Sequence, residues 1–338
     1  MKQTQIVKRG LAGFTASVMA AGLLSGCSGQ NGGGKLVKVA ICVSGSTPAA
    51  IAMEQVFKPM VEEKTEGRYS VQLYSSGVLG SEKVTYDYTR NGIVEMCVVG
   101  TSMWSETPVM AIPDFPFIFR DVEHARRCYQ GELGDYITEE VESEQPVELL
   151  GWFPNGARAF SSNKELCSLE DFAGQKLRMP NNPIHVRLTE SLGANVVIMD
   201  MGEVFTSLEQ GVVDGQDNPL STVKSEGWFE VQDYIYNTNH IISSLELFAG
   251  EPFWDSIDEA DRAIFEEAAR ATSDAAWDMY VDQLASDKQF MIDEGLIVTD
   301  LTEEDQAKMT EKIQPVYDYL DSQYDWADDV REMIAGIE

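Results

Sequence analysis

Two arginines stand apart from the other cations of the chain. Arg158 follows the Asn155-Gly156-Ala157 turn, and Arg178 lies near the end of the short strand Lys176-Leu177-Arg178-Met179, just before Pro180-Asn181. Ligands collect at the C-terminal ends of strands in open α/β sheets, so both cations are placed to meet one. A guanidinium grips a carboxylate with two parallel charge-assisted hydrogen bonds, so the chemistry on offer is capture of an anion. The competing role for any single arginine is a pair with a surface acid. Close by, Val213-Asp214-Gly215-Gln216-Asp217-Asn218-Pro219 reads as a turn rich in amide and carboxylate groups.

The signatures of catalysis are missing. There is no P-loop, no dinucleotide glycine fingerprint after a strand, no Gly-x-Ser-x-Gly elbow and no Cys-x-x-Cys. Ser46 sits on a strand-to-helix turn but lacks the flanking glycines and a partner histidine. The three histidines, His124, His185 and His240, are scattered, which leaves little room for a histidine-rich metal site. Carboxylate pairs such as Glu62/Glu63 are expected on solvated helix faces in so acidic a chain. A binding protein without cofactor or metal is therefore favoured over an enzyme.

Composition narrows the class further. The chain has 338 residues, 43% hydrophobic and 24% charged, enough for one large domain or two medium ones. Lys and Arg total 25 against 56 Asp and Glu, a formal net charge of -31. Nucleic-acid binding leans on clustered cations, so a nucleic-acid partner is excluded.

The N-terminus reads as an address. Lys2, Lys8 and Arg9 precede an apolar run over residues 10–24, too short to span a bilayer and right for a secretory signal. Leu24-Ser25-Gly26-Cys27 resembles a bacterial lipobox, which predicts cleavage before Cys27 and acylation of that cysteine. Residues 28–34 form a Gly/Ser/Asn tether. Four cysteines remain, Cys42, Cys97, Cys128 and Cys167, an even count compatible with disulfides outside the cytoplasm. Cys42 and Cys97 lie in apolar runs, which favours free, buried thiols.

Strands and helices alternate along the body. Strands are predicted over residues 36–43, 69–74 and 94–99, with helices over about 49–65 and 82–91 between them. The grammar restarts after about residue 150. Ser168 is the expected N-cap of a short helix, residues 176–179 a strand, and 184–192 and 202–210 helices. This alternation argues for an α/β fold with a mainly parallel sheet. From residue 256 the chain turns helical, with Ser256 and Glu259 as a capping box. Ile264, Ala268, Ala271, Ala275 and Met279 share one face of a helix that runs beyond Phe290 and lies across both units. Thr302 caps a final helix.

The second half carries a specific resemblance. Lys176-Leu177-Arg178-Met179-Pro180-Asn181, Leu192-Gly193-Ala194, Glu203-Val204-Phe205 and Gly211-Val212-Val213-Asp214-Gly215-Gln216-Asp217-Asn218-Pro219 resemble the solute-binding proteins of TRAP (tripartite ATP-independent periplasmic) transporters, dicarboxylate-receptor type. Leu79-Gly80, the Pro113-Asp114-Phe115-Pro116-Phe117-Ile118-Phe119 linker and residues 234–240 agree in the same order. The resemblance implies a two-lobed periplasmic-binding-protein-like clamp, with a ligand cleft between the lobes and a long helix spanning both. Arg178 resembles the carboxylate-clamping arginine, Arg158 a second ligand-side arginine, Asn181 a nearby amide and Asn218 the amide of the Asp-Gly-Gln-acid-Asn motif. Glu82 resembles an acid that receives ligand hydroxyls, and the turn holding Ser44, Ser46 and Thr47 is expected to face the cleft from the other lobe. Sialic-acid binders of the family carry an acid where this chain has Gly100 and an aromatic ring where it has Met201. A small carboxylate or sugar acid fits this site better.

The expected protein is thus a monomeric, extracytoplasmic lipoprotein, with signal peptide 1–26 and tether 27–35. Lobe I takes in 36–154 plus 245–283, and lobe II takes in 155–244 plus 284–338. Its partners are a small organic acid, the small and large membrane subunits of an ion-gradient-driven TRAP permease, and the membrane through its lipid anchor. A receptor for an ABC importer or sensor kinase would use the same lobes, and neighbouring genes separate these readings. A secreted enzyme on a two-lobed scaffold would show turnover of candidate acids.

Overall fold

The computed structural model describes residues 34–338; the signal peptide, Cys27 and nearly all of the tether lie outside the described residues. Ten strands form one mixed sheet: β1 (Lys35–Ile41), β2 (Tyr69–Tyr74), β3 (Met96–Val99), β4 (Val147–Ser162), β5 (Lys176–Met179), β6 (Asn195–Ile198), β7 (Gly215–Pro219), β8 (Tyr234–Asn237), β9 (Ile242–Gly250) and β10 (Ile297–Asp300). The order is β2-β1-β3-β9-β4-β7-β5-β6, with β8 joining β4 to β10. β1, β2 and β3 run parallel, as do β5, β6 and β7, which is the pattern expected of strands connected by helices. The pairings of β9 with β3 and β4, and of β4 with β7 and β8, are antiparallel, so the sheet is mixed where a mainly parallel one was expected.

β4 links the two halves. Its first part pairs with β9, and its last five residues, from Arg158 to Ser162, pair with β7. The Asn155-Gly156 segment, expected as a turn, lies inside this strand at a register shift. Pro154 lacks an N–H and is tolerated beside such a bulge. Gly156 holds φ +124°, a conformation that side chains disfavour, and a Cβ there would collide with the Tyr280 hydroxyl and ring. Tyr280 is fixed in turn, because its hydroxyl oxygen accepts the Ala157 N–H at 2.7 Å. The expected 213–219 turn is likewise replaced at its C-terminal end by β7, fully buried between β4 and β5.

Local signals resolve in instructive ways. Thr47 caps the helix Pro48–Ala52, which passes through a π-helical turn at Met53–Phe57 into Lys58–Lys64. Ser168 caps nothing. The Asp171 carboxylate instead collects the N–H groups of Cys167 and Ser168 and the Ser168 hydroxyl, closing a short 3₁₀ turn at Glu170–Phe172. The long helix Glu259–Asp293 is capped by Asp258, whose carboxylate accepts the Asp261 N–H at 2.9 Å, while the Ser256 hydroxyl donates to Phe253 O. Its buried stripe is Phe265, Ala268, Ala269, Thr272, Ala276, Trp277 and Tyr280, so only Ala268 of the expected face is fully buried. Thr302 caps Glu303–Lys312 as expected, but Gln314–Gln323 and Ala327–Gly336 follow.

The long helix braces both halves. Near its start Phe265 packs edge-on against Phe57, Tyr69 and Phe253, and near its end Phe290 meets Phe229 while Asp287 holds Lys224 at 2.7 Å. Midway, Trp277 Nε1 donates to Trp152 O of β4 at 3.1 Å. The four cysteines of the described residues are free thiols. Cys97 and Cys128 are buried, and Cys42 and Cys167 are half-buried.

Gly156→Val tests the bulge. The added branch must displace Tyr280 and force a disfavoured φ, so unfolding free energy should fall by at least about 2 kcal/mol. Denaturant unfolding with an unchanged midpoint would contradict this account.

Candidate functional site

The expected arginines converge on one cleft. It has a volume of 290 Å³, at the lower end of the range for small-molecule sites. Arg158, Arg178, Asn181, Asn218, Glu82 and Met201 all line it. Ser44, Ser46 and Thr47 do not. Their turn is held by its own bonds, with Thr47 Oγ1 donating to Ser44 O at 2.8 Å, and the neighbouring Cys42 and Val43 reach the cleft instead. Burial pushes the Cys42 thiol well above its ordinary range, and the Glu82 charge adds to this, so it is a poor nucleophile.

Each arginine has a distinct restraint. Arg158 enters from β4 and pairs with Asp217 of β7, Nε to Oδ2 at 2.8 Å and Nη2 to Oδ1 at 3.0 Å. Arg178 of β5 gives Nε and Nη2 to the Met199 carbonyl at 2.9 and 2.7 Å. Neither Nη1 has a protein acceptor among the described residues. Arg178 is 3% exposed and has no carboxylate bonded to it. Burial, helped by the neighbouring Arg158 charge, outweighs the pull of Asp217 and lowers it to about 10. A desolvated cation without its own counter-ion is what an anionic ligand would complete.

Asp217 is the hub beneath the arginines. Its Oδ2 lies 3.3 Å from both His185 Nδ1 and His240 Nε2. His185 Nε2 lies 3.1 Å from Asp114 Oδ1 at ion-pair distance, and Asp114 Oδ2 accepts from Asn182 Nδ2 at 2.8 Å. Burial would raise the Asp217 carboxyl, but Arg158 and His185 outweigh it and hold it well below its ordinary range. Burial would lower His185, but Asp114 and Asp217 win and hold it above its ordinary value. His240, stacked on Phe160, is lowered because burial dominates there. Asn218 Nδ2 is committed to Gln216 Oε1 at 2.7 Å, in an amide chain that continues through Ser161 to Gln232.

Carboxylates line the cleft as well, with Lys83 beside them. Glu82 accepts the N–H groups of Gly100 and Ser102, each at 3.2 Å, and so fixes the loop after β3. A Cβ on Gly100 would lie 2.9 Å from Leu245 Cδ2 and 3.0 Å from Ser244 O, so a larger side chain there would crowd both. Glu226 also lines the cleft and accepts the Ser44 N–H at 3.1 Å, and burial raises it against that bond. Behind Leu245, the Glu246 carboxyl is pushed well above its ordinary range by burial, despite a bond from Ser244 Oγ. Trp104 Nε1 donates to Asn181 O at 2.9 Å across the cleft, whereas Trp152 belongs to the core.

The sequence reading missed Asp114, His185, Asp217 and Glu226 as site residues. Asp217 sits within the singled-out motif, but its strand was taken for a turn. Buried partners reveal the others, and no local spacing announces them.

Comparison with known proteins agrees with the geometry. Residues 39–323 match the sequence model of the bacterial extracellular solute-binding proteins, family 7. An uncharacterized protein of Haemophilus influenzae is 32% identical over 287 residues, 85% of this chain and 87% of the relative. A TRAP periplasmic solute-binding protein from Haemophilus influenzae with bound L-gulonate superposes with a TM-score of 0.86 at 31% identity, covering 90% of this chain and all of that one. Another, from a Sulfitobacter species with bound β-D-galacturonate, gives 0.82 at 28% identity over 87% and 97% of the two chains.

His185→Gln tests the charge network. It leaves two buried carboxylates short of a cation and should cost about 3 kcal/mol of stability at pH 6. A raised histidine stabilises fully below its unfolded value of about 6.5 and loses that contribution as pH rises through its folded value. The penalty should therefore shrink between pH 6 and pH 9. Equal penalties at both would show that His185 is not charged in the fold.

Proposed function

Starting from the fact that this chain belongs to the family 7 bacterial extracellular solute-binding proteins, the receptors of TRAP transporters, we propose that it captures a sugar acid by its carboxylate. The observation that carries this reading is Arg178, a buried guanidinium lowered to about 10 with no carboxylate of its own, beside a second arginine in a small cleft. The solute carboxylate would bridge the free Nη1 edges of Arg178 and Arg158, with Asn181 and Asn218 at its sides. Two charge-assisted bonds in a dry site outweigh the cost of stripping water from one carboxylate.

The remaining wall suits hydroxyls. Glu82 is an acceptor, Ser102 and Ser105 carry hydroxyls, and all three line the cleft. A simple fatty acid would leave these polar groups without partners, which costs free energy. L-gulonate and β-D-galacturonate, bound by two similar proteins, have the right chemistry: one carboxylate and several hydroxyls.

The rest of the assignment follows from the family and the sequence. Lobe I (36–154 plus 245–283) and lobe II (155–244 plus 284–338) would close over the solute about β4 and β9. The loaded clamp would dock on the small and large membrane subunits of an ion-gradient-driven permease. No helix among the described residues is long and apolar enough to cross a membrane. The Leu24-Ser25-Gly26-Cys27 string supports acylation at Cys27 and tethering of a monomer at the outer face of the cell membrane.

The test is calorimetric titration of sugar acids into wild type and Arg178→Ala. The variant should keep its fold by circular dichroism and lose at least about 2 kcal/mol of binding, roughly thirtyfold in Kd. Unchanged affinity would remove Arg178 from the clamp.

A further inference from the structure

The cleft holds a carboxylate that the clamp does not use. Glu226 caps the C-terminus of the helix Leu220–Ser225, which starts where β7 ends, just after Asn218. Six residues at about 1.5 Å each carry the chain about 9 Å from the end of β7. Glu226 lines the cleft from the end of this helix, on an element other than the two strands that carry the arginines. Its Oε1 accepts the Ser44 N–H, a bond from the helix after β7 to the turn after β1. Oε2 has no donor among the described residues, and no cation pairs with this side chain.

We propose that Glu226 is a specificity-determining residue, accepting a hydrogen bond at Oε2 from a hydroxyl on the solute's tail and repelling any solute with a second carboxylate there. This rests on the sugar-acid reading above. Two physical arguments support it. A partly desolvated carboxylate with a spare acceptor gains from a neutral donor, and a hydroxyl supplies one. A second carboxylate beside Oε2 would instead meet the Glu226 charge, and juxtaposed like charges disfavour binding. One residue thus rewards an alcohol and rejects an acid at the same place, which is how a site separates close analogues.

Its position adds a coupling. Ser44 and Glu226 belong to opposite walls, so the bond between them forms only when the walls approach. A tail hydroxyl bound at Oε2 orients the carboxylate that Ser44 needs, and the solute's far end thereby favours the closed cleft. The carboxylate end alone does not reach this contact.

The probes are L-gulonate and D-glucarate, the same chain with its terminal alcohol oxidised to a second carboxylate. Wild type should prefer L-gulonate. Glu226→Gln keeps an oxygen acceptor for Ser44 but loses the charge, so it should weaken L-gulonate by roughly tenfold and tighten D-glucarate. The expected readout is a narrowed or inverted ratio of the two Kd values, which a merely structural role would not produce, since it would weaken both ligands alike. An unmoved ratio in a variant that still binds overturns this inference alone. Wild-type protein that binds no sugar acid overturns the sugar-acid reading and this inference with it.

Discussion

The Asp217 carboxylate is a buried charge, and the second half of the structure is arranged around neutralising it. Removing such a group from water costs several kcal/mol unless strong partners replace the water. Arg158 supplies a two-point grip from β4, and His185 and His240 approach from two further segments. That requirement explains why the polar string from residue 215 to 219 runs as a central strand. Only there can its carboxylate face β4 while its amides bond to one another. It also fixes Arg158 so rigidly that one edge of the guanidinium remains for the cleft. A mobile arginine would spend binding energy on being ordered; this one is ordered before any solute arrives.

The two arginines then set up an electrostatic tension. Each guanidinium disfavours the charge on the other, and Arg178 bears most of this because Asp217 belongs chiefly to Arg158. The carboxylate of the proposed solute would answer both. Three contacts cross from one wall to the other around it: Ser44 to Glu226, Trp104 to Asn181, and Asp114 to Asn182 and His185. The first two are single polar bonds, whereas the third is fully buried. The continuous strands β4 and β9 and the long helix tie the two halves together, an arrangement compatible with the hinge closure proposed above.

How far the sequence revealed this can be judged residue by residue. The strands of the first half were legible because apolar, β-branched runs such as Leu36-Val37-Lys38-Val39-Ala40-Ile41 leave few alternatives. The long helix was legible from its length, although its buried stripe lies one residue from the predicted face, since alanines occupy both. β4 was illegible in its middle, where Pro154-Asn155-Gly156 carries the composition of a turn inside a bulged strand. β7 was illegible for a related reason. Its stability comes from Asp217 and the amides meeting partners far away in sequence, and local propensity cannot see those. Arg158, Arg178, Asn181, Asn218, Glu82 and Met201 were legible from their motifs, and all line the cleft. The side chains of Ser44, Ser46 and Thr47 fall outside the cleft lining, because Thr47 caps the next helix and the two serine hydroxyls meet each other.

One feature of the composition sits oddly with anion capture, and scale resolves it. A formal net charge of -31 should slow the approach of an acid at low ionic strength. At about 0.15 M salt the screening length is about 8 Å, so exposed carboxylates beyond that distance barely act on the cleft. Inside it, Arg158 and Arg178 are almost wholly shielded from solvent, and their fields are correspondingly strong. The acidic surface governs solubility and the rate of encounter, while a few buried groups govern affinity. The acids that line the cleft, Glu82, Asp200 and Glu226, are the exceptions, because they lie within that range.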